Sequence, residues 1–420
     1  MKFAALAFLV SLILSPASAH AQSLQPGDTV AICGDSITEQ KMYSVYMQTY
    51  LLICQPEMKL KTHQFGWSGE TVNGFWTRIE DDVLPFQPTV ATICYGMNDG
   101  GYAPIDPKRQ STYRQWYENS VKRLKEGGVR SIVVGSPGAV DTDTFDLKSG
   151  KTIKAADYNV TLADLASIAK EVADKQGVSY VNLNALMLDV MAKAKAEYGP
   201  AYHVCGPDGF HPAANGHLIM AYGFLKALGC TGDIGTITVD GRTGVATATE
   251  GHRILSATAG TVEIESSRYP FCFPGKPEDP GSTRGIVEFL PFNEDLNRFR
   301  LIVKNPSAPR MQITWGKETK TFDAAQLAQG INLAAEFLDS PFRDAFGKVQ
   351  SLVRKQQEQD THVMRNLLHT LPPWRKALPN KVAFFDSLPE EVIAPCRALG
   401  ESARAAVQPV KHTLTISPST

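Results

Sequence analysis

The sequence predicts an α/β fold with a parallel sheet over its first half, then a β-rich region with a long helix. Three observations carry this reading. Uncharged runs with strand character alternate with amphipathic stretches from Leu24 to Cys230. Strands separated by helices imply right-handed crossovers and a parallel sheet covered on both faces. Near Gly229 the pattern changes to short alternating strands punctuated by glycine.

The elements follow in order. Thr29–Cys33 is an uncharged run that feeds straight into Gly34-Asp35-Ser36, and Met42 to Leu52 carries apolar residues at helical spacing. Lys59–Phe65, Thr89–Tyr95, Ser131–Gly135 and Ser179–Asn182 read as the remaining strands of the sheet. Helical stretches cover Val72 to Val83, Lys108 to Glu126, Ala155 to Gln176, Ala185 to Tyr198 and Pro212 to Leu228. Beyond Gly232 the segments 236–239, 244–249, 260–265, 286–290, 299–303 and 311–315 read as strands of a small sandwich. Ser340-Pro341 looks like a helix start, and the helix runs to His369 before Leu371-Pro372-Pro373. Leu378 to Pro395 reads as turn-rich, and Val410 to Ile416 as a returning strand.

The 420 residues suffice for two or three domains. Residues 1–21 read as a secretory signal peptide, with Lys2, the apolar run Phe3–Leu14 and small residues at A-x-A spacing. Cleavage is expected after Ala19 or Ala21, which implies export to the periplasm or the exterior. The remaining units are 24–230, the sandwich-like 231–340, and 341–420 as a helical extension with a final strand. Lys plus Arg number 42 and Asp plus Glu 43, so nothing indicates a nucleic-acid footprint or a polybasic membrane surface. No later stretch is apolar enough for a membrane span. Seven cysteines leave at least one free thiol, and Cys33 and Cys94 read as small hydrophobes in buried strands.

Four stretches fall at strand ends or just before the last helix. They hold Ser36; Gly69; Gly96-Met97-Asn98-Asp99; and Asp208-Gly209-Phe210-His211-Pro212. Parallel strands bring their carboxyl ends to one edge, so these stretches converge. A serine hydroxyl needs an adjacent base, and His211 is available. Asp208 can hold the other ring nitrogen in the required tautomer. Gly69, Asn98 and the N–H of Ser36 are suited to stabilise a tetrahedral oxyanion. Taken singly, Asp35 or Ser36 reads equally well as a helix cap, and a D-x-x-H as a surface turn.

Together, Gly34-Asp35-Ser36-Ile37, Gly69, Gly96-Met97-Asn98-Asp99 and Asp208-Gly209-Phe210-His211-Pro212 resemble the four blocks of the SGNH (GDSL-type) hydrolases, in the family's order. The resemblance spans residues 24–230. It implies a flavodoxin-like three-layer α/β/α fold with Ser36 as nucleophile, Asp208 and His211 as triad partners, and Ser36, Gly69 and Asn98 as the oxyanion hole. The G-x-S-x-G elbow of the larger α/β-hydrolases is absent, since Thr38 stands at its last position. The spacings of His203, His211 and His217 fit no common metal set, and no cofactor or metal is expected. Trp67, Tyr95 and Tyr102 adjoin the blocks, either lining a sugar cleft or packing inside.

The resulting expectation is an exported serine esterase that removes O-acetyl groups from carbohydrates, acting on an acylated small molecule or a polysaccharide. A lipase, lysophospholipase or thioesterase is the alternative within the chemistry. A carbohydrate-binding protein with a degenerate hydrolase core is the alternative outside it.

Overall fold

The computed structural model describes residues 24–146, 152–258 and 260–419. The signal-peptide expectation for residues 1–21 lies outside them. Strands β1 (Thr29–Gly34), β2 (Lys61–Gly66), β3 (Val90–Cys94), β4 (Ser131–Gly135) and β5 (Ser179–Val181) form one sheet in the order β2-β1-β3-β4-β5, parallel throughout. Successive side chains of β1 point to opposite faces, Val30 and Ile32 into one apolar cluster and Ala31 and Cys33 into the other. A strand covered on both sides has no solvent face to mark with polar residues, which is why the run is uncharged.

Helices α1 (Ser36–Glu39), α2 (Tyr43–Ile53), α3 (Val72–Arg78), α4 (Pro107–Glu126), α5 (Ala155–Gln176), α6 (Leu183–Tyr198) and α7 (Ala214–Ala227) follow in chain order. Of these, α3, α4 and α5 cover one face, and α2, α6 and α7 the other, giving a three-layer α/β/α fold. The helix expected over Val72 to Val83 is α-helical only to Arg78 and continues as a π-helical turn, Ile79–Val83.

The second half adds β6 (Asp233–Asp240), β7 (Ala246–Ala248), β8 (His252–Ala257), β9 (Thr261–Ser266), β10 (Arg298–Lys304), β11 (Arg310–Trp315), β12 (Glu318–Asp323), β13 (Ile331–Asn332) and β14 (Val410–Pro418). They form two sheets, β13-β10-β6-β7 and the antiparallel β12-β11-β14-β9-β8. Phe299 on β10 lies 5.8 Å from the Trp315 ring on β11 and 6.0 Å from His412 on β14, joining the sheets. The segment 286–290, read as a strand, is a buried 3-10 turn, Ile286–Phe289, held between Gly285 and Pro291. Two helices, Arg343–Asn366 and Val382–Ala405, pack on each other. The stretch Leu378 to Pro395, expected to be turn-rich, is helical from Val382 on, with Pro389 and Pro395 inside the helix. Each proline costs a backbone hydrogen bond, but Phe385, Ile393, Cys396 and Ala403 are buried on that helix, and their packing outweighs the loss.

The two halves share a core. Every residue of α2 is buried, because the sheet covers one side and the second half covers the other. Tyr46 meets Phe271 edge-on at 6.1 Å, and the Tyr50 hydroxyl donates to the Leu296 carbonyl at 2.9 Å. One apolar cluster runs from Val30 to Trp315 without a break. All seven cysteines are buried and unpaired. Among the described residues no helix is long and apolar enough to cross a membrane.

Strand β2 is a sheet edge, and an edge strand needs cover for its outward backbone groups. The Arg343–Asn366 helix supplies it with side chains. Gln356 Nε2 donates to the Thr62 carbonyl at 2.6 Å, and Asp360 Oδ2 accepts the Gln64 N–H at 3.2 Å. Four helical residues rise about 6 Å, close to the roughly 6.6 Å between alternate strand residues, so the two patterns match. Asp360 Oδ1 also meets His63 Nδ1 at 3.0 Å, and Asp360 has no exposure. Asp360→Ala strands both groups in the interior and is expected to cost about 3 kcal/mol. Denaturant unfolding of the full chain checks this.

A second buried chain holds the antiparallel sheet. Trp315 Nε1–H donates to His412 Nδ1 at 3.1 Å, His412 Nε2 faces Ser266 Oγ at 2.9 Å, Ser266 Oγ faces His252 Nδ1 at 2.8 Å, and His252 Nε2 faces the Ile234 carbonyl at 2.9 Å. An indole donates only and a carbonyl accepts only, so one assignment satisfies every atom: both rings neutral, with the proton on Nε2. Burial, with the neighbouring His252, pushes His412 down to about 3 from the usual 6.5, and burial lowers His252 as well. The unfolded chain therefore binds protons that the folded one refuses. The stability from this pair is complete above pH 6.5 and is lost as pH falls from 6.5 toward 3. His412→Asn, which cannot titrate, should lose less melting temperature between pH 7.5 and 5 than the parent. The raised carboxyls described below pull the other way in both proteins and drop out of the comparison.

Candidate active site

The site begins where β1 stops. A Cβ on Gly34 would lie 2.1 Å from Thr38 Oγ1 and 2.8 Å from the Cys94 carbonyl, and one on Gly66 would lie 2.2 Å from the Glu39 nitrogen. Glycine at both places lets α1 start directly at the strand end and lie against β2. Asp35 caps that helix by accepting the Ile37 N–H at 3.0 Å. Ser36 follows, half-buried at the carboxyl edge of the sheet.

His211 arrives at the same point from 175 positions away. Its Nε2 lies 2.8 Å from Ser36 Oγ, and its Nδ1 lies 2.8 Å from Asp208 Oδ2. Asp208 Oδ1 accepts the N–H groups of Phe210 and His211 at 3.2 and 3.0 Å. With Nδ1 donating to the carboxylate, Nε2 is left to accept the serine proton. Burial pushes the Asp208 carboxyl up, but the His211 N–H and ring and the Phe210 N–H outweigh it and hold it below the usual value, so it stays ionised. The loop after β4 braces this segment: Asp141 N–H donates to the Gly209 carbonyl at 2.8 Å, and Asp146 N–H to that of Asp208 at 3.1 Å. Lys195 holds the Asp141 carboxylate at 2.5 Å.

The other two blocks meet beside them. Asn98 Nδ2 donates to the Glu70 carbonyl at 3.1 Å and lies 3.5 Å from Asp35 Oδ2. Gly69 is exposed with a φ of +74°, a conformation that glycine adopts without strain. Asp99 accepts the Val72 N–H at 3.0 Å, tying the third block to the second. Burial raises the carboxyls of Asp35 and Asp99 to about 7 despite the N–H groups they accept. Glu70 is clamped by Arg78 Nε and Nη2, both at 2.7 Å, and by the Tyr95 hydroxyl at 2.6 Å.

A cavity of about 540 Å³ opens over Ser36 and His211. Glu39, Gln40, Ser68 and Asp208 form most of the rest of its wall, and Pro207 and Pro212 are its apolar liners. A larger groove of about 680 Å³ between Lys193, Glu288, Lys320 and Glu336 touches none of the predicted site residues. Tyr95 is wholly buried, while Tyr102 is half-buried, stacked on Tyr158 at 5.0 Å and edge-on to Phe210 at 5.6 Å. Trp67 is half-buried, with the guanidinium of Arg365 4.3 Å from its ring centre. His217 is inside α7, its Nε2 2.8 Å from Gln40 Oε1, and burial pushes it down to about 3. Among the described residues no group of three or more His, Cys, Asp or Glu side chains is placed to hold a metal ion.

The comparisons with known proteins support an acyl ester hydrolase. Residues 32–219 match the GDSL-like Lipase/Acylhydrolase family, and the comparisons support an SGNH/GDSL hydrolase family for this stretch. An acetylxylan esterase of Geobacillus stearothermophilus is 24% identical over 216 residues, which are 48% of this chain and 91% of that protein. A solved structure of that enzyme, Axe2, covers 50% of this chain and 97% of its own at 21% identity and a TM-score of 0.41. A gut microbial diltiazem-metabolizing enzyme aligns over 95% of this chain and 100% of its own, at 21% identity and a TM-score of 0.70. That likeness extends the shared fold through the second half.

Sequence reasoning missed the braces. Glu70 adjoins Gly69 and could have been noticed there. Arg78, Asp141, Lys195 and Arg365 carry no local signature, because each acts across a gap closed only by folding.

Proposed function

We propose that the protein is an exported serine esterase that removes O-acetyl groups from carbohydrates. The observation supporting it is the unbroken hydrogen-bonded line Ser36–His211–Asp208 at an open cavity. In this reading Ser36 Oγ attacks the ester carbonyl while His211 Nε2 takes its proton. Asp208 holds the ring and stabilises the imidazolium. The N–H groups of Ser36 and Gly69 and the Asn98 amide receive the developing oxyanion. His211 returns the proton to the leaving alcohol, and water then releases the acid by the same steps. The cavity wall favours a short acyl group. A long chain needs aliphatic surface to bury, and of the residues lining the cavity only Pro207 and Pro212 are apolar.

Ser36→Ala should lower turnover by roughly 10⁴-fold or more with the fold intact; turnover that survives refutes the nucleophile. Asn98→Ala should lower kcat by about 10²–10³-fold and leave KM nearly unchanged. Among p-nitrophenyl esters, kcat/KM should fall steadily from acetate to octanoate, and a preference for octanoate would favour a lipase. Acetate release from acetylated xylooligosaccharides tests the sugar. Diltiazem, which bears an acetate ester, belongs in the same panel.

A further inference from the structure

The Arg343–Asn366 helix does more than seal the sheet edge. Gln357, Thr361 and Arg365 recur every fourth residue along one stripe. Gln357 Oε1 accepts from Ser44 at 2.7 Å and Thr361 Oγ1 donates to Gln64 Oε1 at 3.1 Å, so the stripe runs along the catalytic half toward the cavity. Its last member, Arg365, pairs its Nη1 with Glu39 Oε1 and sets its guanidinium 4.3 Å from the Trp67 ring centre.

Those two partners belong to different parts of the site. Glu39 ends the four-residue helix that Ser36 begins, and it lines the cavity. Trp67 begins the turn that carries Ser68 and Gly69. Ser68 and Gly69 are exposed, and a Cβ at Gly69 would stand in open space. The turn is fixed at its ends. At the far end Arg78 and Tyr95 clamp Glu70. At the near end the Trp67 N–H donates to the Gly34 carbonyl at 3.0 Å, and the ring rests against Arg365 and against His369 at 4.7 Å. His369 is itself tied to the buried Asp82 at 3.0 Å.

We infer that Arg365 is a positioning residue for ester hydrolysis, supplied by the second half of the chain. One planar cation bridges the nucleophile's helix and the oxyanion turn, and so sets the gap between Ser36 Oγ and the Gly69 N–H. This rests on the serine-esterase reading above. A guanidinium suits the task, since it can pair a carboxylate in its plane and stack its face on an indole. Arg365 and Glu39 are 29% and 19% exposed, so the pair is mostly buried, and melting is read beside kcat to separate positioning from stability.

The test compares the full-length protein with Arg365→Met, which keeps bulk without charge, and Arg365→Lys, which keeps charge without the planar face. With p-nitrophenyl acetate, Arg365→Met should lose about 10–100-fold in kcat, the scale of a displacement near 1 Å, with KM little changed. Arg365→Lys should fall between the two. Affinity for an alkylboronic acid, which takes the tetrahedral form on the serine, should drop in parallel with kcat/KM, while the melting temperature stays close to the parent's. Glu39→Gln combined with Arg365→Met should be no worse than the Met variant alone. Unchanged kcat and boronate affinity in Arg365→Met would overturn the inference and leave the esterase reading standing. So would a loss of activity that tracks a lower melting temperature. A parent protein with no Ser36-dependent hydrolysis overturns both.

Discussion

The contact on which everything else turns is a single 2.8 Å approach between a serine hydroxyl and an imidazole nitrogen 175 residues apart. No local propensity creates it. It exists because five strands run parallel, so that the end of β1 and the loop before α7 open on one edge. Each side of the contact is braced by backbone rather than by bulk. The serine is held by a helix that starts without a connecting loop, which Gly34 and Gly66 permit by leaving no Cβ in the way. The histidine is held by a carboxylate that also grips the histidine's own backbone N–H. Around them lie acids that are structural in character: Glu70 is saturated by Arg78 and Tyr95, and Asp35 caps a helix.

The second half of the chain is physically continuous with this machinery. Its apolar residues complete the burial of α2, and its Gln356 and Asp360 stand in for the strand that β2 lacks on its outer edge. A parallel sheet of five short strands exposes two edges, and here a helix side-chain ladder rather than another strand seals one of them. The same helix ends with Arg365 against Glu39, which lines the cavity, so the edge repair and the proposed positioning contact lie on one element. This geometry accounts for an appended region that packs along its length on the catalytic half instead of hanging from a linker.

Much of this was legible in the residues alone, for identifiable reasons. Buried parallel strands are written as uncharged runs, and Thr29–Cys33, Thr89–Tyr95 and Ser131–Gly135 could hardly be read otherwise. Site residues at strand ends stand out because Gly, Asn, Asp and His cluster where the periodicity breaks. The failures also have physical causes. Val382–Ala405 was hidden by two prolines whose cost is met by tertiary packing, which sequence periodicity does not report. Segment 286–290 has strand-like residues but folds as a 3-10 turn that buries Ile286 and Val287 without a partner strand. Trp67 and Tyr95 could not be sorted into cleft and core, because their neighbours, Arg365 and Glu70, are known only once the chain has closed. Arg365 itself stands among Val363, Met364, Leu367 and Leu368, with no local sign of its partners.

The central claim is that Ser36 Oγ is the atom that carries the acyl group. Intact-protein and peptide mass spectrometry on samples acid-quenched during turnover of p-nitrophenyl acetate measures this directly. The account predicts one acetyl group per chain, on the peptide that contains Ser36, appearing with the first burst of nitrophenol and disappearing when substrate is exhausted. Turnover at full rate with that peptide unmodified, or with the acetyl group on another residue, would contradict it.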